Sequence, residues 1–391
     1  MEKVYQGKKI ILFARNAQVQ EEVLNQIDKN IVAGVFNFEN LENAPSNDVP
    51  NFSSDALKQY EGGGYKIIIA INAGRSKDDS ELGQSFFYRL SLAVAKLAKQ
   101  AGIDFIFWPP FSHTLHLRGI FPNLSYEPCH KQVLPRANHS LSLINEVFRT
   151  FNKEFVGKNI DLWIFLGDQP ERALSLAEAL DLPFVFAYCT TYSMNHRVIA
   201  FPDYHSFYTE DEKHAFSPYI LPPPSECKKA AAKPWQDNHI FWRGSLFTSF
   251  SRECLYALGK RYPEYLRIED GTKGQFLPMI EQAKYKYLID TRGHGWSIRL
   301  QTFLQLGRPI FLVDRPYREW YFDRMTSWKH YIPVKEDLSD LIEKYEYMER
   351  HPEVYADIVH NMRVFVEENL TPNRILNDMK NLILKYGIVN Q

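Results

Sequence analysis

The chain has 391 residues, with 46 Lys+Arg against 47 Asp+Glu and a formal net charge of −1. Hydrophobic residues make up 45%, enough for sizeable cores, which excludes global disorder, and the length predicts two domains. The near-zero charge excludes a dedicated nucleic-acid binder, which needs a basic face to neutralise phosphates. Aromatic residues reach 14%, which suits sugar-stacking surfaces and large aromatic cores alike. The four cysteines, Cys129, Cys189, Cys227 and Cys254, show neither C-x-x-C pairing nor His/Cys zinc spacing. No disulfide framework and no metal site are therefore expected. The N-terminus lacks a long apolar run, and nothing approaches the ~18 uncharged apolar residues of a membrane span. The expectation is a cytoplasmic chain without a signal peptide, in which the sequons at Asn51, Asn123, Asn138 and Asn369 are chance matches.

Along the chain, short apolar runs alternate with amphipathic helical patterns. Strands are predicted at 9–14, 65–72 and 104–108, with helices at 17–29 and 82–101. A helix at 138–155, a strand at 161–166, a helix at 171–180 and a strand at 183–188 follow. The stretch Leu221-Pro-Pro-Pro-Ser-Glu-Cys-Lys-Lys-Ala-Ala-Ala-Lys-Pro234 breaks the rhythm and reads as an interdomain linker. The alternation then restarts with strands at 239–242, 285–290 and 309–313 and helices at 251–261 and 297–306. The end is helical, at 337–350, 352–368 and 373–385. Continuous β-rich runs alternating with helices indicate parallel sheets covered on both faces. The predicted organisation is a domain at 1–222, a linker at 223–236 and a domain at 237–391, both α/β and doubly wound, facing a cleft.

Three constellations carry chemistry. In Phe241-Trp242-Arg243-Gly244-Ser245, followed by Ser251-Arg252, a strand ends in a loop whose glycine lets a phosphate approach the backbone. The serine offers a hydroxyl and the arginines offer planar forks for a diphosphate; a solvated loop with a surface arginine has the same letters. In Asp290-Thr-Arg-Gly293-His-Gly295-Trp-Ser297-Ile-Arg299 a buried strand runs into a Gly-x-Gly turn. Ser297 is placed to cap the next helix, whose N-terminus favours an anion, and Arg299 to neutralise a pyrophosphate. A plain strand-to-helix turn is the competing reading. In Asp161-Leu-Trp-Ile-Phe-Leu-Gly167-Asp168-Gln-Pro170 an apolar strand delivers an aspartate to the edge where parallel sheets bind ligands. Asp168 is either a general base or the cap of the following helix.

Together these segments, with Glu319-Trp-Tyr-Phe and Trp328-Lys-His-Tyr-Ile-Pro-Val, resemble glycosyltransferase family 90 over about residues 161–365. That family holds the Rumi-type protein O-glucosyltransferases, capsule xylosyltransferases and bacterial lipopolysaccharide or capsule transferases. The resemblance implies a GT-B fold, a UDP-sugar donor, inversion at the anomeric carbon and no required metal or other cofactor. It makes Asp168 the catalytic base, Arg243, Gly244 and Ser245 the donor loop, and Arg299 the arginine that meets the diphosphate. Arg252, Asp290, Gly293, Gly295 and Ser297 complete the expected donor site. Trp242 stands where relatives carry Phe. The missing secretory signal favours a cytoplasmic role in surface glycan assembly, with a glycan or glycolipid acceptor and peripheral contact with the inner membrane.

The residues agree on metal independence: no Asp-x-Asp stands at a strand end, and two arginines can stabilise a leaving diphosphate. His113-Thr-Leu-His116 lacks nearby carboxylates and reads as structural. Two rival readings are a hexose epimerase or phosphorylase of the same architecture, and a nucleotide-sugar or glycan-binding protein without catalysis.

Overall fold

The computed structural model of the protein describes residues 8–14, 17–25, 30, 32–37, 57, 60, 64–70, 81–107, 113–126, 134–203 and 222–389. Cys129, the sequon at Asn51, and the ends of the elements predicted at 17–29, 65–72 and 104–108 lie outside the described residues.

The chain opens with β1 (Lys9–Ala14), α1 (Ala17–Leu24), β2 (Val32–Asn37), β3 (Tyr65–Ala70), α2 (Glu81–Gln100) and β4 (Asp104–Phe107). β1 is buried from Ile10 to Ala14, as a strand covered on both faces must be. These four strands form a parallel sheet in the order β2-β1-β3-β4. A strand absent from the sequence reading follows, β5 (Thr114–Ile120), then β6 (Ser125–Tyr126), α3 (Leu134–Thr150), α4 (Asn152–Phe155) and β7 (Asn159–Phe165). β5 runs antiparallel to β7 with His116 opposite Trp163. His116 stacks on that ring at 3.8 Å, and its Nε2 lies 2.6 Å from Asp161 Oδ1, so the fold supplies the carboxylate that the sequence reading found missing. With α5 (Pro170–Ala179), β8 (Val185–Ala187) and β9 (Val198–Ala200), the second sheet has the order β6-β5-β7-β8-β9. The first unit therefore carries two sheets, and one core joins them. Ile11, Phe13, Ile67 and Ile69 share it with Phe165, Val185 and Val198, with Leu90 and Val94 of α2 and Leu176 of α5 between.

The proline-rich stretch is not an extended linker. Pro224 opens a helix, α6 (Pro224–Ala231), at a position where a missing N–H costs nothing, and Cys227 and Ala230 enter the core of the second unit. That unit runs β10 (Asp237–Gly244), α7 (Phe250–Arg261), β11 (Leu266–Asp270), β12 (Tyr285–Asp290), α8 (Leu300–Gln305), β13 (Ile310–Val313) and β14 (Ile332–Val334). Its sheet is parallel in the order β11-β10-β12-β13-β14, around Ile240, Tyr287, Ile289 and Phe311. α9 (Leu341–Arg350) and α10 (Pro352–Asn369) add Leu341, Met348, Ile358 and Met362 to the same core.

The last helix, α11 (Pro372–Tyr386), leaves the unit in which the sequence places it. Its Ile375, Leu376, Met379 and Ile383 pack with Leu143, Ile144 and Val147 of α3 and with Leu162 and Ile164 of β7. The tail after it bridges Ile388 to Ile160, and Asp161 N donates to Gly387 O at 3.0 Å. Residues 372–389 thus close the first unit, and the chain crosses between units twice.

The C-terminal ends of β7 and β8 in the first unit meet the segments that follow β12 and β13 in the second. Thr190, after β8, exchanges two backbone hydrogen bonds with Arg318, after β13, at 3.0 and 2.8 Å. Among the described residues no helix is long and apolar enough to cross a membrane.

Candidate functional site

β10 and β12 are neighbours, so the Arg243-Gly244-Ser245 loop and the 291–299 segment emerge side by side. Gly244 is required by close packing: a Cβ there would lie 2.7 Å from the Trp242 ring and 2.8 Å from Arg299 Nη2. Trp242 is fully buried, and two guanidinium groups lie against its ring, Arg299 at 5.1 Å and Arg252 at 5.4 Å from the centroid. Arg252 reaches across from α7. Its Nε donates to the Arg292 carbonyl at 2.8 Å and its Nη1 to the Ser245 carbonyl at 3.1 Å. Among the described residues neither guanidinium is paired with a carboxylate. Burial, then the charge of Arg299, pull Arg252 down to about 9. Burial also lowers Arg299, against the attraction of Asp290. Arg299 Nη1 and Ser245 Oγ are shut from solvent and have no partner among the described residues. Two like charges held together out of water, with donors unfilled, make a place for a polyanion.

Three expected donor residues stand elsewhere. The helix predicted from Ser297 begins only at Leu300 and runs six residues, and Ser297 Oγ donates to Asp290 Oδ1 at 2.5 Å instead of capping it. The helix-terminus argument for an anion site at this turn falls with it. Asp290 is fully buried, and its Oδ2 accepts from Arg315 Nη1 at 2.8 Å, so it supports the loop from beneath and does not face a ligand. Arg243, read as a diphosphate fork, donates through Nη1 to Glu269 Oε2 at 2.7 Å and through Nη2 to the carbonyls of Lys273 and Gln275 at 2.6 and 2.7 Å. It fastens the 271–275 loop. Gly293 does adjoin the site: a Cβ there would sit 3.3 Å from Arg252 Nη2.

Asp168 follows β7 and approaches from the other unit. The cap position of α5 is Gln169, which makes no side-chain cap bond, so Asp168 is not the cap of that helix. Its side chain is 40% exposed, and Oδ1 accepts from Arg136 Nη1 at 2.7 Å. Arg136, on α3, also donates to the Leu166 carbonyl at 2.9 Å and so sets the carboxylate against its own strand. Gly295 lies directly against this segment: a Cβ there would run into the Asp168 carbonyl oxygen and lie 3.3 Å from Cys189 Sγ. Beside it, Trp296 Nε1 donates to Asp203 Oδ2 at 3.2 Å, and Tyr317 OH donates to Glu171 Oε1 at 2.9 Å. Gly244, Ser245, Arg252, Gly293 and Arg299 are thus gathered on one side, and Gly295 joins that side to Asp168.

The sequence reading missed four contributors. Trp242 is noted there only as standing where relatives carry Phe, with no role assigned; its ring carries both arginines. Arg292 lies in a quoted segment; its guanidinium stands 5.7 Å from the Tyr317 ring and its Nε is buried without a partner among the described residues. Arg315 joins Asp290 to Glu319, donating to Glu319 Oε1 at 2.8 Å. Burial pushes the Glu319 carboxyl up to about 7, with Arg315 pulling the other way. Arg136 is 32 residues from Asp168 on another element, and nothing local announces it.

The model of the family described as Glycosyl transferase family 90 matches residues 126–390. The chain belongs to that family. This family 90 chain is 28% identical over 177 residues to human Protein O-glucosyltransferase 1, covering 41% of this chain and 45% of that protein. It is 31% identical over 124 residues to O-glucosyltransferase rumi of Drosophila melanogaster, covering 28% of this chain and 30% of that protein. The matches therefore span less than half the length of these curated relatives. Among solved structures, the crystal structure of Anabaena HepE in complex with UDP overlaps 96% of this chain and 100% of its own, at 10% identity and a TM-score of 0.33.

Proposed function

We propose that this family 90 chain is an inverting, metal-independent glycosyltransferase that moves a hexose or pentose from a UDP-sugar to a hydroxyl acceptor. The observation that carries the reading is the pair Arg252 and Arg299 on the Trp242 ring, without carboxylate partners among the described residues, in the unit opposite Asp168. The acceptor oxygen attacks the anomeric carbon as the bond from that carbon to the diphosphate breaks, and the electron pair leaves on UDP. The acceptor's proton passes to Asp168, whose Oδ1 is held by Arg136. Arg252, Arg299 and the Ser245 hydroxyl stabilise the charge that develops on the leaving diphosphate, the work a divalent ion does elsewhere. Inversion follows from a base on the acceptor side and an anion site on the other. The relatives' names favour glucose among the hexoses. A lipopolysaccharide or capsule glycan, met in the cytoplasm or at the inner-membrane face, is the acceptor class we propose.

The test is calorimetric titration of UDP, GDP and CMP in EDTA, followed by nuclear magnetic resonance of the product made from an α-linked UDP-sugar. UDP is expected to bind without metal and to stabilise the fold by about 2.7 kcal/mol at one hundred times its Kd, and the product is expected to be β-linked. Binding of GDP or CMP in place of UDP rejects the donor, activity restored only by manganese rejects metal independence, and an α-linked product rejects inversion.

A further inference from the structure

We infer that Tyr192 is the platform on which a neutral pyranose of the acceptor stacks, with Asp323 of the second unit receiving its hydroxyls; the assignment rests on the transferase reading above. The order of the strands gives the direction of approach. In the second unit β10 and β13 lie on either side of β12. The segment after β12 meets Asp168 through Gly295. Arg252 and Arg299 lie on the β10 side of that contact, against Trp242. The segment after β13 lies on the other side, where Arg318 exchanges backbone hydrogen bonds with Thr190. In an inverting displacement the nucleophile enters opposite the leaving group. With the diphosphate on the β10 side and the base between, the acceptor enters from the β13 side.

Tyr192 stands on that side. It is three residues beyond Cys189, whose Sγ lies 3.9 Å from the Asp168 carbonyl oxygen, so its Cα is within about 11 Å of that of Cys189. The residue is 62% exposed. One face of its ring is covered: the Arg318 guanidinium lies 4.1 Å from the centroid and rests in turn on Phe322 at 4.7 Å. This stack fixes the ring and leaves its other face to a ligand. At the ring's edge Tyr192 OH donates to Asp323 Oδ1 at 3.4 Å, and Arg318 Nη1 stands 3.9 Å from the same oxygen. The Asp323 side chain is 70% exposed, so its carboxylate is open to further donors. A pyranose matches both features. Its C–H bonds present positive polarity to the negative ring face, and its hydroxyls donate to the carboxylate. Arg318 and Asp323 offset each other's charge, which favours a neutral sugar over an acidic one. An apolar side chain of a protein acceptor is the less favoured occupant, because it would desolvate the charged pair at the ring's edge.

The experiment is a nuclear magnetic resonance titration in saturating UDP. The methyl glycosides of glucose, galactose and mannose, with that of glucuronic acid as the acidic counterpart, are added to the wild-type protein, Tyr192→Ala, Tyr192→Trp and Asp323→Asn. At least one neutral glycoside is expected to bind the wild type. Tyr192→Ala and Asp323→Asn are each expected to raise its Kd on the order of tenfold, and Tyr192→Trp to stay within about threefold. UDP affinity is expected to hold in every variant. Unchanged glycoside binding by Tyr192→Ala, a wild type that binds no neutral glycoside, or a preference for the glucuronide would overturn the platform while leaving the donor site standing. Joint loss of UDP and glycoside binding in Tyr192→Ala would also overturn it, by showing that the stack only supports the two units. A wild type that does not bind UDP, or binds it with no dependence on Arg252 and Arg299, rejects the donor site itself and the platform with it.

Discussion

Trp242 shows how a single residue sets the electrostatics of the site. Its ring gives Arg252 and Arg299 a common face without supplying a carboxylate that would neutralise them. Arg252→Ala and Arg299→Ala are each expected to weaken UDP ~10- to 100-fold by calorimetry, since a charge-assisted hydrogen bond contributes on the order of 1.5–3 kcal/mol. Unchanged affinity in a folded variant would reduce these arginines to packing residues. Arg243→Ala is expected to leave pyrophosphate affinity unchanged, because its guanidinium is turned to Glu269 and two loop carbonyls; a tenfold loss would restore it to the diphosphate site. Asp168→Asn is expected to slow transfer by about 10²- to 10⁴-fold while UDP affinity holds. The variant should still melt cooperatively, since no helix cap is lost and a half-exposed pair with Arg136 is worth only about 0–1 kcal/mol. Near-normal turnover would place the base elsewhere. The positions of Asp168, Arg252 and Arg299 at the facing edges were legible because each follows a strand end; their roles are the proposal made above. Arg136 was not, because only tertiary structure brings it to Asp168.

At the scale of elements, local propensity was a good guide where the period was clean and failed where a buried charge competed. The 297–306 pattern reads as one helix from its serine, but Asp290 takes the Ser297 hydroxyl and the helix starts three residues late. β5 went unread because its run is buried through His116, a residue that draws attention as a ligand before it does as a strand member. β14 is three residues long and contains Pro333, tolerated because it is the edge strand. The segment from Arg315 to Glu319 belongs to no regular element, yet it carries the buried pair that supports the 291–299 loop through Asp290. Burial first, and the charge of Asp290 in addition, raise the Glu319 carboxyl to about 7, while Arg315 opposes them. A raised folded-state value means that the native state holds this proton more tightly than the unfolded chain does. Between about pH 4.5 and 7 the native state then binds more protons, so this group's contribution to stability falls as pH rises through that window. Glu319→Gln keeps an acceptor for Arg315 but removes the titration. Urea unfolding at several pH values is expected to show the wild type losing stability relative to this variant between pH 4.5 and 7, and to show no further change above that range. Equal slopes would show that Glu319 titrates as an ordinary carboxylate.

At the scale of the whole molecule, two α/β units were legible from the restart of the alternation after residue 234, but their boundary was not. α11 carries an apolar stripe that any core would accept, and only three dimensions show that the first unit, through α3 and β7, is the one that takes it. The consequence is mechanical. The chain enters the second unit before α6 and returns to the first with α11. Gly295 is the point at which the second unit meets Asp168 itself. A methyl group there would meet the Asp168 carbonyl oxygen, and that oxygen cannot give way as a flexible side chain would. It belongs to the backbone continuing β7, which is laddered to β5 and β8 and tied by Arg136 at Leu166. Gly295→Ala must therefore part the two edges while leaving the core of each unit intact. On the proposed donor site, whose groups all belong to the second unit, UDP is expected to bind within about threefold of the wild type, since an offset of that size is under 1 kcal/mol. Transfer needs Asp168 and the donor in register, and a misplacement of about 1 Å can cost up to ~10²-fold, so turnover is expected to fall at least tenfold. Measuring the Kd for UDP beside kcat on one preparation separates these effects. Normal turnover would show that the units do not need this contact to align. Loss of UDP binding together with turnover would show that the change disrupts the second unit itself.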